Sequence, residues 1–400
     1  MESPTRPRSP NQSKPGAEFA NASKRPKYGP IIIFLLLAVV IVSSCTRQDT
    51  GPIVIGLAAG VNGVTGAQLA ADQINAAGGI RGRKLKLDIA DNGAATAAET
   101  SIQIAIRFLE TPQVLAAIGH PNSPATLASS QLYNEGHMVQ LVPNATSPLL
   151  TNAGPWTFRI SISDTLQGRE LAEYAVHKMN AHRVAILYVN DDYGKGLKDV
   201  FYDKARELGA TVVISAPFDT DPSFSAIISY VKQQKPDLLF LALRTAAIEA
   251  LAHQLDQSDL HPMLLAGDSL NRTELQANPY ILKQLDGMRH TIFFSPVQQD
   301  PRVKEFVRAY WNRYHQVADD ESALNYDAVY LLKRAIEGGG ATRQGIRDYL
   351  ATVGQTSPPF EGVAGKVSFD KGGDCTKPLQ LAEVYLGKII PLDASGDLPK

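Results

Sequence analysis

From residue 52 onward, short β-rich apolar runs alternate with helical stretches, and the alternation comes in two series. The first series reads "IVIGLA" (53–58) then helix 66–77, "LKLDIA" (85–90) then helix 96–110, "VLAAIG" (114–119) then helix 124–135, and "MVQLV" (138–142). The second reads "RVAILYV" (183–189), helix 195–208, "TVVIS" (211–215), helix 223–234, "DLLFLAL" (237–243), helix 246–257 and "MLLAG" (263–267). Runs that stay apolar at successive positions are strands covered on both faces, and helices of this length between them make βαβ units. The fold class is therefore α/β, with two doubly wound parallel-sheet lobes separated by the polar "TNAGPWTFRISISDTLQG" (151–168). A chain of 400 residues is also longer than a single core usually sustains.

The end of the chain breaks the pattern. A strand-like "TIFFS" (291–295) precedes amphipathic stretches at 301–315 and 322–337, the first with Val303, Phe306, Val307 and Tyr310 on one helical face. A weaker helix near 342–353 and two short strands, "KVSF" (366–369) and "LQLAEVYL" (379–386), follow. On this pattern both sheets read as complete before residue 290, so the tail is expected to cross back over them and build a hinge of several strands.

The N-terminus is a different kind of polymer. Residues 1–30 hold six Lys/Arg against two Asp/Glu and little to bury, a composition that cannot offset its ordering entropy and predicts a disordered basic segment. The apolar run Ile31–Val42 has 12 residues, short of the roughly 20 that span a bilayer. It suits a signal-peptide h-region. The ending Val42-Ser43-Ser44-Cys45 resembles a bacterial lipobox, which makes Cys45 the expected lipidation site and mature N-terminus; the long basic segment also suits an uncleaved anchor. Either arrangement puts the remaining chain outside the cytoplasm. Only one other cysteine exists, Cys375, so with Cys45 lipidated no intrachain disulfide can form. The formal net charge of −1 argues against a general nucleic-acid-binding role.

In open α/β sheets ligands sit beyond the C-terminal ends of the strands. The loop after 53–58 carries Gly60, Gly63 and Gly66, a spacing that is neither the dinucleotide nor the Walker pattern, and the following helix is expected to begin near Gly66. Ser123-Pro124 after the third strand reads as a helix N-cap with Pro at N1. Capping alone would explain it; a helix N-terminus can also receive a carboxylate. "PNATSP" after the fourth strand offers the hydroxyls of Thr146 and Ser147. In the second series, Tyr193, Arg244 and Asp268 stand at strand ends: Tyr193 could face the cleft, while Asp268 could also be a solvated turn and Arg244 a surface cation. Hydroxyls on one wall and an acid on the other would suit a zwitterion, its carboxylate on hydroxyl and N–H groups and its ammonium on Asp268. The eight His are scattered, with no zinc-protease motif, nucleophile elbow or metal-ligand spacing, so neither an enzyme nor a cofactor or metal site is expected.

Five segments, "AADQINAAGGIRGRKLKLDIADN", "VLAAIGHPNSPATLASSQLY", "VPNATSPLLT", "RVAILYVNDDYGKGL" and "GKVSFDKGGDCTKPLQL", together resemble the periplasmic leucine/isoleucine/valine-binding protein family, class I substrate-binding proteins of ABC transporters. The similarity runs over nearly all of residues 52–392. It implies the type I periplasmic binding protein fold, with a three-crossing hinge near 160–165, 287–292 and 362–366. Lobe 1 would then hold 52–163 plus 291–364, lobe 2 164–290 plus 365–392, and 393–400 would form a C-terminal tail. The resemblance further implies a ligand carboxylate on Ser123 and Thr146, and an ammonium on the carbonyl of Asn144, on Thr146 and on Asp268, with Tyr193 packing against the ligand. Two departures stand out. Arg244 occupies a position where the family often has Tyr, and could meet the ligand carboxylate or a second acidic group. The stretch from Gly60 to Gly66 lacks the Ser-Gly and Tyr-Gly elements that usually cover the ligand.

The expected function is that of an extracytoplasmic solute-binding lipoprotein of an ABC importer. It would be a monomer holding a small amino acid or related amide between its lobes, with permease subunits and a membrane-inserted lipid anchor as partners. A ligand-sensing envelope lipoprotein on the same fold, uncoupled to a permease, is the alternative.

Overall fold

The computed structural model describes residues 51–91, 98–219, 225–270 and 273–399. The basic segment 1–30, the signal-like run 31–45 and Cys45 lie outside the described residues.

Strands β1 (Ile53–Ala59), β2 (Leu85–Asp91), β3 (Val114–Gly119), β4 (Val139–Val142) and β5 (Thr157–Arg159) form one parallel sheet in the order β2-β1-β3-β4-β5. Every residue of β1 is buried, as its unbroken apolar run requires of a strand covered on both faces. Helices α1 (Val61–Ala76), α2 (Ala98–Glu110) and α3 (Ser123–Glu135) follow β1, β2 and β3. Helix α4 (Asp164–His177) leads into the second series. There β6 (Arg183–Tyr188), β7 (Thr211–Pro217), β8 (Leu238–Ala242) and β9 (Met263–Ala266) alternate with α5 (Asp192–Glu207), α6 (Ser225–Gln234) and α7 (Thr245–Asp256). Two short helices, α8 (Thr273–Gln276) and α9 (Pro279–Gln284), fill the connection to β10 (Arg289–Ile292). After β10 come α10 (Pro301–Tyr314), α11 (Asp320–Gly339), α12 (Arg343–Leu350), the hairpin β11 (Phe360–Gly362) and β12 (Gly365–Val367), then β13 (Gln380–Tyr385) and β14 (Lys388–Pro391). The second sheet runs β14-β13-β10-β9-β8-β6-β7, parallel except for the two final strands.

The tail does cross back. Phe293, Phe294, Val303, Phe306, Tyr310, Leu331 and Leu332 share one buried cluster with Ile53, Ile55, Leu57 and Leu141 of the first sheet. The third crossing comes later than the expected 362–366. Lys366 and Val367 of the "KVSF" stretch pair within the β11–β12 hairpin, while Val367, Phe369 and Cys375 remain in the first sheet's core. Arg159 also holds Asp374, with Nη2–Oδ1 2.6 Å. The chain therefore reaches the second sheet only at β13.

The glycine run is not a loop. Helix α1 starts at Val61, directly after Gly60, which occupies its N-cap position; Gly63 and Gly66 are helical. A Cβ on Gly66 would lie 2.0 Å from the Ser322 carbonyl oxygen, and one on Gly63 would lie 2.8 Å from Asn325 Nδ2. The spacing thus gives α1 a side-chain-free stripe against which α11 packs at backbone contact distance. The polar separator was likewise more structured than its composition suggests: it contains edge strand β5 and the first turn of α4.

Candidate functional site

Asn122, not Ser123, caps α3: its backbone is extended, and its Oδ1 accepts from Ala125 N at 3.1 Å. Ser123 is the first helical residue. Its hydroxyl turns toward the loop after β4, where it accepts from Ser147 N at 3.2 Å. Ser123 and Thr146 are almost fully buried and Asn144 is 8% exposed. The loop is fixed from behind by Arg159, whose Nη1 donates to the carbonyls of Thr146 and Ser147 at 2.8 Å each. Asp374 takes the Nε and Nη2 donors of the same guanidinium. A buried cation satisfied by an anion and two carbonyls is a stable strut.

Thr146 links this loop to the second lobe. Its Oγ1 donates to Asp164 Oδ2 at 2.9 Å, and its carbonyl accepts from Asp164 N at 2.8 Å. Asp164 opens α4, which packs along α5 of the second sheet. Gln167, one turn on, donates its Nε2 to Asp164 Oδ1 at 2.6 Å and to Asp268 Oδ1 at 3.1 Å. Two carboxylates thus face one amide, with Asp164 and Gln167 fully buried and Asp268 only 5% exposed. Gln167 Oε1 has no partner. The Asp164 carboxyl is held well above the usual carboxylate range, first by burial and then by the charge of Asp268; the hydrogen bonds from Thr146 and Gln167 and the charge of Arg159 pull the other way.

Tyr193 lies against this pair. Its phenol accepts from Ser269 Oγ at 3.3 Å, and a Cβ on Gly267 would lie 2.6 Å from it. Burial, then the charges of Asp268 and Asp164, push the phenol well above its ordinary value, so it stays neutral. The Arg244 guanidinium lies 5.3 Å from the Tyr193 ring centre. Its Nε and Nη2 donate to Asp191 Oδ2 at 3.0 and 2.5 Å, and Asp191 also caps α5. The charge of Arg244 is therefore met by Asp191 and serves to orient Tyr193 and the start of α5.

The structure brings Ser123, Asn144, Thr146, Tyr193 and Asp268 to one buried zone and sets Arg244 behind Tyr193. Residue patterns missed Asp164 and Gln167; their only signal was Ser163-Asp164 as a helix start inside a stretch read as linker. The lobes also touch elsewhere. A Cβ on Gly196 of α5 would meet Pro148 at 2.5 Å, and Asp319 Oδ2 accepts from both Asn62 Nδ2 (2.9 Å) and Thr273 Oγ1 (3.1 Å). Among the described residues no acid or nucleophile accompanies His120, whose pKa burial lowers to about 3 and which contacts Tyr133. Among the described residues no His, Cys, Asp and Glu group is placed to hold a metal ion.

The model of the periplasmic binding protein family matches residues 48–388. The chain belongs to that family. An amino acid binding protein of Pseudomonas aeruginosa is 26% identical to it over 354 residues, covering 85% of this chain and 92% of the relative. Among solved structures, the Streptococcus pneumoniae branched-chain amino acid transporter substrate-binding protein LivJ, in complex with isoleucine, superposes with a TM-score of 0.76 at 26% identity. That match covers 84% of this chain and 97% of LivJ. An ABC transporter substrate-binding protein of Desulfitobacterium hafniense in complex with Leu superposes with a TM-score of 0.73 at 29% identity, over 85% of this chain and all of the other. As a periplasmic binding protein the chain is a non-enzymatic solute binder.

Proposed function

We propose that this periplasmic binding protein holds an α-amino acid between its lobes and delivers it to an ABC import permease. The observation that carries the reading is the carboxylate pair Asp164 and Asp268, buried about one amide while the nearby guanidinium groups of Arg159 and Arg244 are engaged by Asp374 and Asp191. A ligand ammonium supplies the missing positive charge, and its carboxylate is received by the hydroxyl of Ser123 and by that of Thr146, which turns from Asp164 to the ligand. Tyr193 closes over the ligand from the second lobe. Binding needs no covalent step: desolvated, charge-assisted hydrogen bonds supply the affinity. Cys45, lipidated, tethers the protein at the outer face of the membrane, and the chain works as a monomer. The names of the relatives, an amino acid binding protein and transporter components bound to Ile or Leu, support both the ligand class and the transport role.

The test is a thermal-shift screen of the protein against amino acids, amides and small carboxylic acids. A ligand at 100 times its dissociation constant stabilises the folded state by about 2.7 kcal/mol, and at least one amino acid is expected to do so. Asp268→Asn should abolish that shift while the ligand-free protein still unfolds cooperatively. A shift from carboxylic acids alone, or an undiminished shift in the variant, contradicts the reading.

A further inference from the structure

Close to this site the structure holds two polar groups whose hydrogen-bonding capacity is half used. Asn325, in α11, is fully buried, and Asn144, in the loop after β4, is 8% exposed. Asn325 Nδ2 donates to the backbone carbonyl of Glu321 at 2.9 Å and to Asn144 Oδ1 at 3.0 Å. A backbone carbonyl can only accept, so the first bond fixes which end of Asn325 is nitrogen, and the second then fixes Asn144. Two atoms are left over: the donor Asn144 Nδ2 and the acceptor Asn325 Oδ1, both buried and both without a partner. Gly63 makes the arrangement possible, because a side chain there would strike Asn325 Nδ2.

A buried amide left half-satisfied destabilises the ligand-free protein, and an aliphatic ligand would leave that cost in place. A group that offers one acceptor and one donor together removes it. A carboxylate cannot, since it would set an oxygen against Asn325 Oδ1. We infer that Asn144 and Asn325 form a side-chain subsite for a carboxamide, so that the amino acid bound is one whose side chain ends in a primary amide. This rests on the amino-acid reading above and narrows it. Sites built to hydrogen-bond a ligand group reject analogues lacking it far more strongly than apolar pockets reject a missing methylene.

The experiment is calorimetric titration of the full chain, in mild detergent, with L-asparagine, L-glutamine, L-leucine and L-aspartate. One of the two amides is expected to bind at least tenfold more tightly than leucine and aspartate. Asn325→Leu should lower amide affinity at least tenfold and change leucine affinity less than threefold. Asn144→Ala, which removes the donor without adding bulk, should lower amide affinity in the same way and decides the matter if Asn325→Leu does not fold. Leucine binding more tightly than both amides, or an amide-to-leucine ratio unchanged in Asn144→Ala, overturns the subsite alone. Silence from all four ligands likewise overturns the subsite, whereas the amino-acid reading itself falls only if the thermal-shift screen finds no amino acid that binds.

Discussion

Asp164 shows how a binding site is held ready at the expense of the ligand-free fold. Its carboxyl is fully buried beside another acid and keeps its proton well above the ordinary carboxylate range. A group whose folded-state pKa is raised keeps a proton that the unfolded chain has lost, so its contribution to stability falls as pH rises above the ordinary range. Asp164→Asn is therefore expected to raise the thermal midpoint of the ligand-free protein at neutral pH and to flatten that decline. The same variant should lose amino-acid binding, because an amide, unlike the Asp164 carboxyl, cannot release a proton to meet the ligand ammonium with a negative charge. A chemical-denaturation series from pH 5 to 8 reads both effects, and a variant less stable at every pH would contradict the assignment. Arg244 carries the complementary lesson. As a residue type at a strand end it suggested a free cation for the ligand, but Asp191, placed at the same height by the neighbouring βα turn, claims it. Sequence shows which charges exist; only the fold shows which of them are already paired.

At the scale of elements, α1 and α11 pack at backbone contact distance in the first lobe. Gly66 sits where any Cβ would press into the Ser322 carbonyl. Gly66→Ala should therefore destabilise by about 1–3 kcal/mol, the usual cost of overpacking, read as a lower denaturant midpoint. A variant as stable as the parent would show that the helices lie further apart than described. The same pair of helices explains what was legible in the sequence and what was not. Runs such as "VLAAIG" and "LLFLA" announced themselves as doubly covered strands, and their alternation with helices gave the two-sheet architecture. The glycines were misplaced because the same spacing serves a turn and a helix seam, and only the partner, Ser322 more than 250 residues away, distinguishes them. Strands β5, β11 and β14 went unseen because they are only three or four residues long. The late third crossing was hidden for a related reason: it depends on the pairing of Asp374 with Arg159 across the lobe.

The whole molecule joins two sheets whose connecting loops meet in one buried zone. In the proposed site Ser123 and Thr146 come from the first lobe and Asp164 and Asp268 from the second, so a zwitterion bound between them would tie the lobes together by its two charged ends. The resemblance located Ser123, Asn144, Thr146, Tyr193 and Asp268, and the geometry gathers them in one zone; the buried acid opposite Thr146 and the half-paired asparagines emerge only from the packed structure. The most direct test of this account is a titration of the intact protein with the amino acid found in the screen, set against its 2-hydroxy acid counterpart. The two differ only in the group that the acid pair is built to hold. Replacing the ammonium with a hydroxyl should weaken binding by about 100-fold or more, since the buried carboxylates would then lose their charged partner. Equal affinity for both would show that the second lobe does not read the ammonium, and the central claim would fall.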